Sequence, residues 1–308
     1  MDHRTDDYEF LMKELSKCYS GAELPKHYLY SLDKSTKNLT LTILEKGLKS
    51  NMQDDESAFE SWSLILRFYL HKYIKTITID WVDLCENKEN NRHYNRFVYR
   101  INKFIQTYDW VFSNKSIPRI PSILVCNCPT GAAADAERHE INSEGWLECK
   151  YVEKNNMHYD IMSHQFPIGI FHDKVSRDTY YTTGGKSAID IWAINKNDFF
   201  IFELKKKGNK PLGILSEIMF YTNIVNDILS HRIQYQLDSK VRKALSKNYR
   251  GFRDFYNAYA SGTIHRINAV LLADDFHPLI IQDLLDFIND SARLRYFQIK
   301  YSLKEVNI

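Results

Sequence analysis

Between Ser187 and Lys207 the chain runs SAIDIWAINKNDFFIFELKKK, two short β-prone stretches joined by the polar turn Asn195-Lys196-Asn197-Asp198. The first stretch carries Asp190; the second carries Glu203 and Lys205. Side chains alternate along a strand, so Glu203 and Lys205 share one face, and Phe200, Phe202 and Leu204 make the other face wholly apolar. Two carboxylates and a lysine projected from adjacent strands of a buried hairpin are costly to leave uncompensated. Two outcomes satisfy them: the carboxylates bind a metal ion, or acid and lysine close an ion pair.

Several elements have to carry that hairpin. Ala132 to about Tyr151 is expected as a helix, His164–Phe171 as a strand or strand edge because Pro167 lacks a ladder donor, and 212–230 as a helix with Ile214, Leu215, Ile218, Met219, Val225 and Ile228 on its apolar side. Ile267–Ala273 is a continuous apolar run suited to a strand buried on both faces. Pro278 is expected in the first turn of a helix, and Arg295–Leu303 as a closing strand. Further upstream, Tyr8–Tyr19 predicts a short helix, Leu39–Leu44 a strand, the segment from Asp54 a helix with acids at its start, Tyr73–Val82 a strand, and Arg92–Phe112 a second long helix. Pro118 and Pro121 break the chain before a buried strand at Ser122–Cys126. Two regions are therefore expected: residues 1–130, mostly helical α+β, whose role (recognition, dimerisation or an elaboration of the core sheet) the sequence leaves open, and residues 131–308, an α/β sandwich with a mixed central sheet flanked by helices.

A formal net charge of +2, from 41 basic and 39 acidic residues, excludes a coat that holds long nucleic acid by charge alone but leaves room for a local basic groove. Five irregularly spaced cysteines argue against a disulfide scaffold and for a reducing, cytoplasmic setting. The start, MDHRTDDYEF, does not read as a signal peptide, and no apolar run approaches the ~18 residues that span a bilayer, so no membrane partner is expected.

Asp190, twelve intervening residues and Glu203-Leu204-Lys205 resemble the catalytic pattern of the PD-(D/E)XK phosphodiesterase superfamily, with its restriction-endonuclease-like fold, over roughly residues 135–308. Ile189 stands where that pattern has proline. RecB-type members carry Q-x-x-x-Y on the helix after the lysine strand; the equivalent here is Glu217-Ile218-Met219-Phe220-Tyr221, with glutamate in the glutamine place. Four residues apart, Glu217 and Tyr221 share a helical face. The family also places an acid on the helix before the core sheet. Glu137, Glu140 and Glu144 are the candidates, expected on one helical face, with Glu140 favoured and Glu144 next. The resemblance implies a nuclease dependent on Mg²⁺ or Mn²⁺, ligated by Asp190, Glu203 and Glu140 or Glu144, with Lys205 positioning the attacking water. Lys186, Lys206, Lys207 and Lys210 would meet neighbouring phosphates. DNA stands ahead of RNA as substrate, in prokaryotic defence, restriction or repair, and cutting both strands of a duplex would suit a homodimer. The alternative is a catalytically silent module of the same fold that binds nucleic acid or a protein.

Other signals are weaker. Gly184-Gly185-Lys186-Ser187 is not a phosphate-binding loop, since Tyr180 occupies the earlier glycine position and a strand follows. His139-Glu140 lacks the second histidine of a zinc helix, Ser143 standing there. Cys126 and Cys128 read as buried thiols. Tyr94, Tyr99, Tyr180, Tyr181 and Trp192 are candidates for stacking on bases, with core packing the competing role.

Overall fold

The computed structural model describes residues 5–84, 92–183 and 187–306. In chain order the helices are α1 (Asp6–Ser16), α2 (Glu45–Lys49), α3 (Phe59–Tyr69), α4 (Arg92–Thr107), α5 (Glu144–Asn155), α6 (Ile214–Leu229), α7 (Ser239–Lys247), α8 (Phe252–Ser261), α9 (Gln282–Asn289) and α10 (Ala292–Tyr296). The strands are β1 (Tyr28–Asp33), β2 (Asn38–Ile43), β3 (Thr76–Trp81), β4 (Val111–Phe112), β5 (Leu124–Cys126) and β6 (Ile161–Pro167). They continue with β7 (Ile170–His172), β8 (Ala188–Asn195), β9 (Asp198–Lys205), β10 (Ile233–Gln234), β11 (Arg266–Ala273) and β12 (Ile299–Glu305). Contacts divide the chain into two units that are discontinuous in sequence. The first holds residues 1–120, 211–217 and 276–293; the second holds 121–210, 218–275 and 294–308. Residues 121–130 thus group with the second unit, and two later segments return to the first. No helix among the described residues is long and apolar enough to cross a membrane.

The first unit is built on a four-stranded sheet in the order β1-β2-β3-β4, antiparallel at β1–β2 and parallel thereafter. Its helices have ordinary local causes. Thr5 caps α1 by accepting from Tyr8 N at 3.2 Å, and Asp6, Asp7 and Glu9 place negative charge at the positive end of the helix. The second long helix stops at Thr107, and Val111–Phe112 form β4 instead of its last turn. Pro278 lies in a turn ahead of α9, which begins only at Gln282. The region holds more sheet than the alternation at Leu39–Leu44 and Tyr73–Val82 suggested.

The second unit carries a five-stranded mixed sheet, β12-β11-β9-β8-β6, with β12, β11 and β9 parallel and β9–β8–β6 antiparallel. A smaller sheet, β10-β5-β7, lies in the same unit. One face of the large sheet, Ile191, Ala193, Phe202, Leu204, Val270 and Leu272, packs with Tyr151 of α5. The other face stacks Trp192 on Phe199 (centroids 5.7 Å apart) and meets Phe166 and Phe255 of α8. Burying each such aromatic or aliphatic side chain contributes roughly 1.5–3 kcal/mol, so the hairpin is clamped from both sides. Mixed α/β layering with helices on the sheet faces is as expected.

Ala132 to Tyr151 is not one helix. Ala136–Arg138 form a single 3-10 turn, Asn142 takes a left-handed φ of 66°, and Ser143 caps a new helix by accepting from Trp146 N at 3.3 Å. The left-handed residue and the cap interrupt any continuous helical face.

Candidate functional site

β8 and β9 pair from Asn195↔Asp198 as far as Ile191↔Phe202, leaving a two-residue turn in which Lys196 adopts φ 55°. One step further along the same register stand Asp190 and Glu203, and there the pairing stops. On its other side, β8 pairs with β6 at His164↔Ile191 and Phe166↔Ile189, but Gln165, opposite Asp190, is left out and takes φ 55°. The ladder therefore lapses on both sides of Asp190. The carboxylate takes over part of the lost bonding: Asp190 Oδ2 accepts from Leu204 N at 2.9 Å. Strand alternation puts Asp190 on the face of Trp192, and Glu203 and Lys205 on the face of Phe199, which stacks on Trp192. Strand alternation therefore places all three polar residues on one side of the sheet. Lys205 Nζ lies 2.6 Å from Glu203 Oε1, with both side chains buried, at 5% and 1% exposure.

The other predicted residues distribute less tightly. Glu137 sits in the 3-10 turn and Glu140 in irregular backbone outside α5, so the three candidate acids do not share a helical face. Glu144 opens α5 and its Oε1 accepts from Asn209 Nδ2 at 3.2 Å, which ties it to the loop following β9. Lys206 and Lys207 are exposed immediately after that strand. Lys210 is committed to Asp275 at 2.6 Å, an interaction that holds the Asp275 carboxyl below its ordinary range. Lys186 lies outside the described residues. Glu217 and Tyr221 are both on α6, but Glu217 groups with the first unit, where its Oε1 accepts from Gln53 Nε2 at 2.5 Å, whereas Tyr221 groups with the second.

Sequence reasoning did not single out Glu148. This acid on α5 is buried, its Oε2 accepts from Gln165 Nε2 at 2.7 Å, and His164 Nδ1 is 3.7 Å away. Gln165 is the residue facing Asp190 across the ladder gap, so Glu148 reaches the strand that borders the hairpin. The one available signal was an acid among the mostly apolar residues Trp146, Leu147, Cys149, Tyr151 and Val152, and nothing local identifies its partner. Next to it, Cys149 Sγ lies 3.8 Å from His164 Nε2, but burial first, and the Glu148 charge next, push the Cys149 thiol up, which opposes a thiolate nucleophile. Burial likewise pushes Cys126 to about 12 and Cys128 to about 11, in keeping with two inert thiols.

The fitness of the site for a cation follows from its donors. Asp190 and Glu203 supply hard oxygens, and with Lys205 they leave a net negative charge. Mg²⁺ is often held by only one or two carboxylates, with water and substrate phosphate completing its shell. Among the described residues no group of three or more His, Cys, Asp or Glu side chains is placed to hold a metal ion. The carboxylates that the strand register brings to one face are those of Asp190 and Glu203. Comparison of the chain with family models, with curated proteins and with solved structures gave no match.

Proposed function

We propose that the second unit is a metal-dependent phosphodiesterase acting on nucleic acid, DNA ahead of RNA, with Asp190, Glu203 and Lys205 at its centre. The observation that carries this is the lapse of the ladder at Asp190 and Glu203: two carboxylates and a lysine share one face where the strands part. The order of a helix (α5), antiparallel strands with the acid on β8 and Glu-x-Lys on β9, and a following helix (α6) agrees with the PD-(D/E)XK resemblance. Asp190 and Glu203 would hold Mg²⁺ or Mn²⁺, which when bound supplies charge neutralisation at the phosphate and a more acidic water. The Leu204 amide fixes Asp190, and the Glu203 carboxylate fixes the ammonium of Lys205. So held, Lys205 orients the attacking water and offsets charge on the phosphoryl oxygens. Lys206 and Lys207 meet the flanking phosphates.

The test incubates linear, circular and single-stranded DNA and RNA with the protein in Mg²⁺ or Mn²⁺. Asp190→Ala and Lys205→Ala should each lower cleavage by about 10²-fold or more. Undiminished cleavage in either variant refutes the assignment. The second candidate, a silent module of the same fold, is favoured by one observation, the closed Glu203–Lys205 contact. It predicts no Mn²⁺ binding that depends on Asp190 and Glu203, which calorimetry decides.

A further inference from the structure

α7 stands apart in charge from a chain that is near neutral overall. From Asp238 to Asp254 the sequence holds Lys240, Arg242, Lys243, Lys247, Arg250 and Arg253 against those two terminal acids. Both acids are engaged locally: Asp238 caps α7 through Val241 N at 2.8 Å, and Asp254 accepts from Asn248 Nδ2 at 2.7 Å. Val241 and Ala244 bury one side of the helix. Lys240, Lys243 and Lys247, three and four residues apart, are exposed and pair with no carboxylate among the described residues. At the helical rise they form a stripe about 10 Å long.

The N-terminal end of that stripe meets a cavity of about 190 Å³ in the same unit. Phe171 and Tyr180 form an aromatic wall, their centroids 4.6 Å apart, and Asn127, Gln236, Arg177 and Lys240 add polar groups. The volume is below the roughly 300–1,000 Å³ of sites for drug-sized ligands, and suits one heteroaromatic ring system. Both features are tied to the hairpin. Asn127 Oδ1 accepts from Gly169 N at 2.8 Å, and Ile168 N donates to Ser187 O at 2.9 Å just ahead of β8. The turn after α7 rests on the Asp190 face of the sheet. Gly251 there has φ 73° and approaches Trp192 so closely that a Cβ would lie 2.9 Å from the indole. Among the aromatic residues considered for stacking on bases, Tyr94, Tyr99, Tyr181 and Trp192 are buried, whereas Tyr180 is only half-buried.

We infer that α7 and the cavity at its N-terminus form a binding surface for single-stranded nucleic acid, with backbone phosphates on Lys240, Lys243 and Lys247 and one unpaired base in the cavity against Tyr180 and Phe171. A base held in a duplex cannot enter the recess, so the surface selects an unpaired strand. This deepens the phosphodiesterase assignment and rests on its nucleic-acid substrate, while binding is measured apart from cleavage.

The experiment is fluorescence anisotropy in EDTA with a labelled 20-nucleotide strand, the matching duplex, and polyglutamate as competitor. The strand should bind more tightly than the duplex. Substituting Lys240→Gln, Lys243→Gln and Lys247→Gln together should weaken strand binding at least tenfold and flatten the dependence of log affinity on log salt by about 2, at about 0.7 per phosphate contact. Thr130→Trp, at an exposed position on the cavity rim, should lower strand affinity by about tenfold and leave duplex binding unchanged. An unchanged thermal midpoint checks that each variant folds. Equal affinity for strand and duplex, unchanged binding in the lysine variant, or equal displacement by polyglutamate overturns the inference. Lys205→Ala, assayed in parallel, separates the two claims. Binding without any metal-dependent cleavage refutes the phosphodiesterase alone, and cleavage without α7-dependent binding refutes this surface alone.

Discussion

Each unit buries an ion pair, and the two are constructed differently. In the first, Arg100 of α4 reaches Glu60 of α3. Its Nε donates to Oε1 at 2.8 Å, Nη2 pairs with Oε2, and Nη1 and Nη2 also serve Ser57 Oγ and O at 3.2 and 2.7 Å. The guanidinium fork joins residues 40 positions apart and lies 4.7 Å from the centre of the Phe59 ring. In the second, Lys205 and Glu203 are two positions apart on one strand. Their contact joins no two elements that the backbone does not already join. Both pairs bear the cost of taking charge out of water; the Arg100–Glu60 contact itself joins two helices, whereas the Lys205–Glu203 contact spans one strand. The Lys205–Glu203 contact lies within one strand beside the gap in the ladder, so its replacement is the one that bears on the proposed chemistry.

Three substitution experiments sharpen or break that contrast. The largest effect is expected in the first unit. Arg100→Ala leaves Glu60 and the Ser57 carbonyl buried without their donor and should cost about 3–5 kcal/mol, read from the urea midpoint. A loss under about 1 kcal/mol, typical of an exposed pair, would erase the distinction. Next comes the double replacement Glu203→Leu with Lys205→Met. It should leave stability unchanged or raise it by about 1–4 kcal/mol while metal-dependent cleavage disappears. A marked fall in stability would make this pair a strut like its counterpart.

The smallest effect is at Lys210 and Asp275, a half-exposed pair beside the lysine loop. The hydrogen bond from Lys210 lowers the Asp275 pKa. A carboxyl with a depressed folded pKa contributes stability above its unfolded pKa, near 3.9, and loses it as pH falls through the folded value. Lys210→Gln should move the Asp275 titration upward by carboxyl-carbon NMR with little change at neutral pH. An unmoved titration would show that Lys210 is not committed to Asp275, and is open to phosphate as the sequence first suggested.

The hairpin was legible because strand alternation and a polar turn are local signals, and residues 188–205 obey both. The apolar run of β11 and the helical spacing of α3 and most of α4 were legible for the same reason. The break inside 132–151 was not, because the spacing of three glutamates mimics a helical face while Asn142 and Ser143 end it through backbone conformation and a cap. β1 alternates as Tyr28, Tyr30 and Leu32, all buried, yet its pattern is short and lies in a charged region. The return of 211–217 and 276–293 to the first unit depends on contacts far apart in sequence, such as Tyr69 Oη to Leu279 O at 3.1 Å. Glu148 is hidden likewise: its partners on β6 are known only once α5 lies on the sheet.

The bond from Leu204 N to Asp190 gives this sheet an amide whose proton answers to a side chain. Most ladder amides exchange with solvent when strands separate. This one is held by a side chain, so its protection also depends on where the Asp190 carboxylate lies. The exchange of that proton therefore reports on the position of the Asp190 carboxylate, readable without substrate and without turnover.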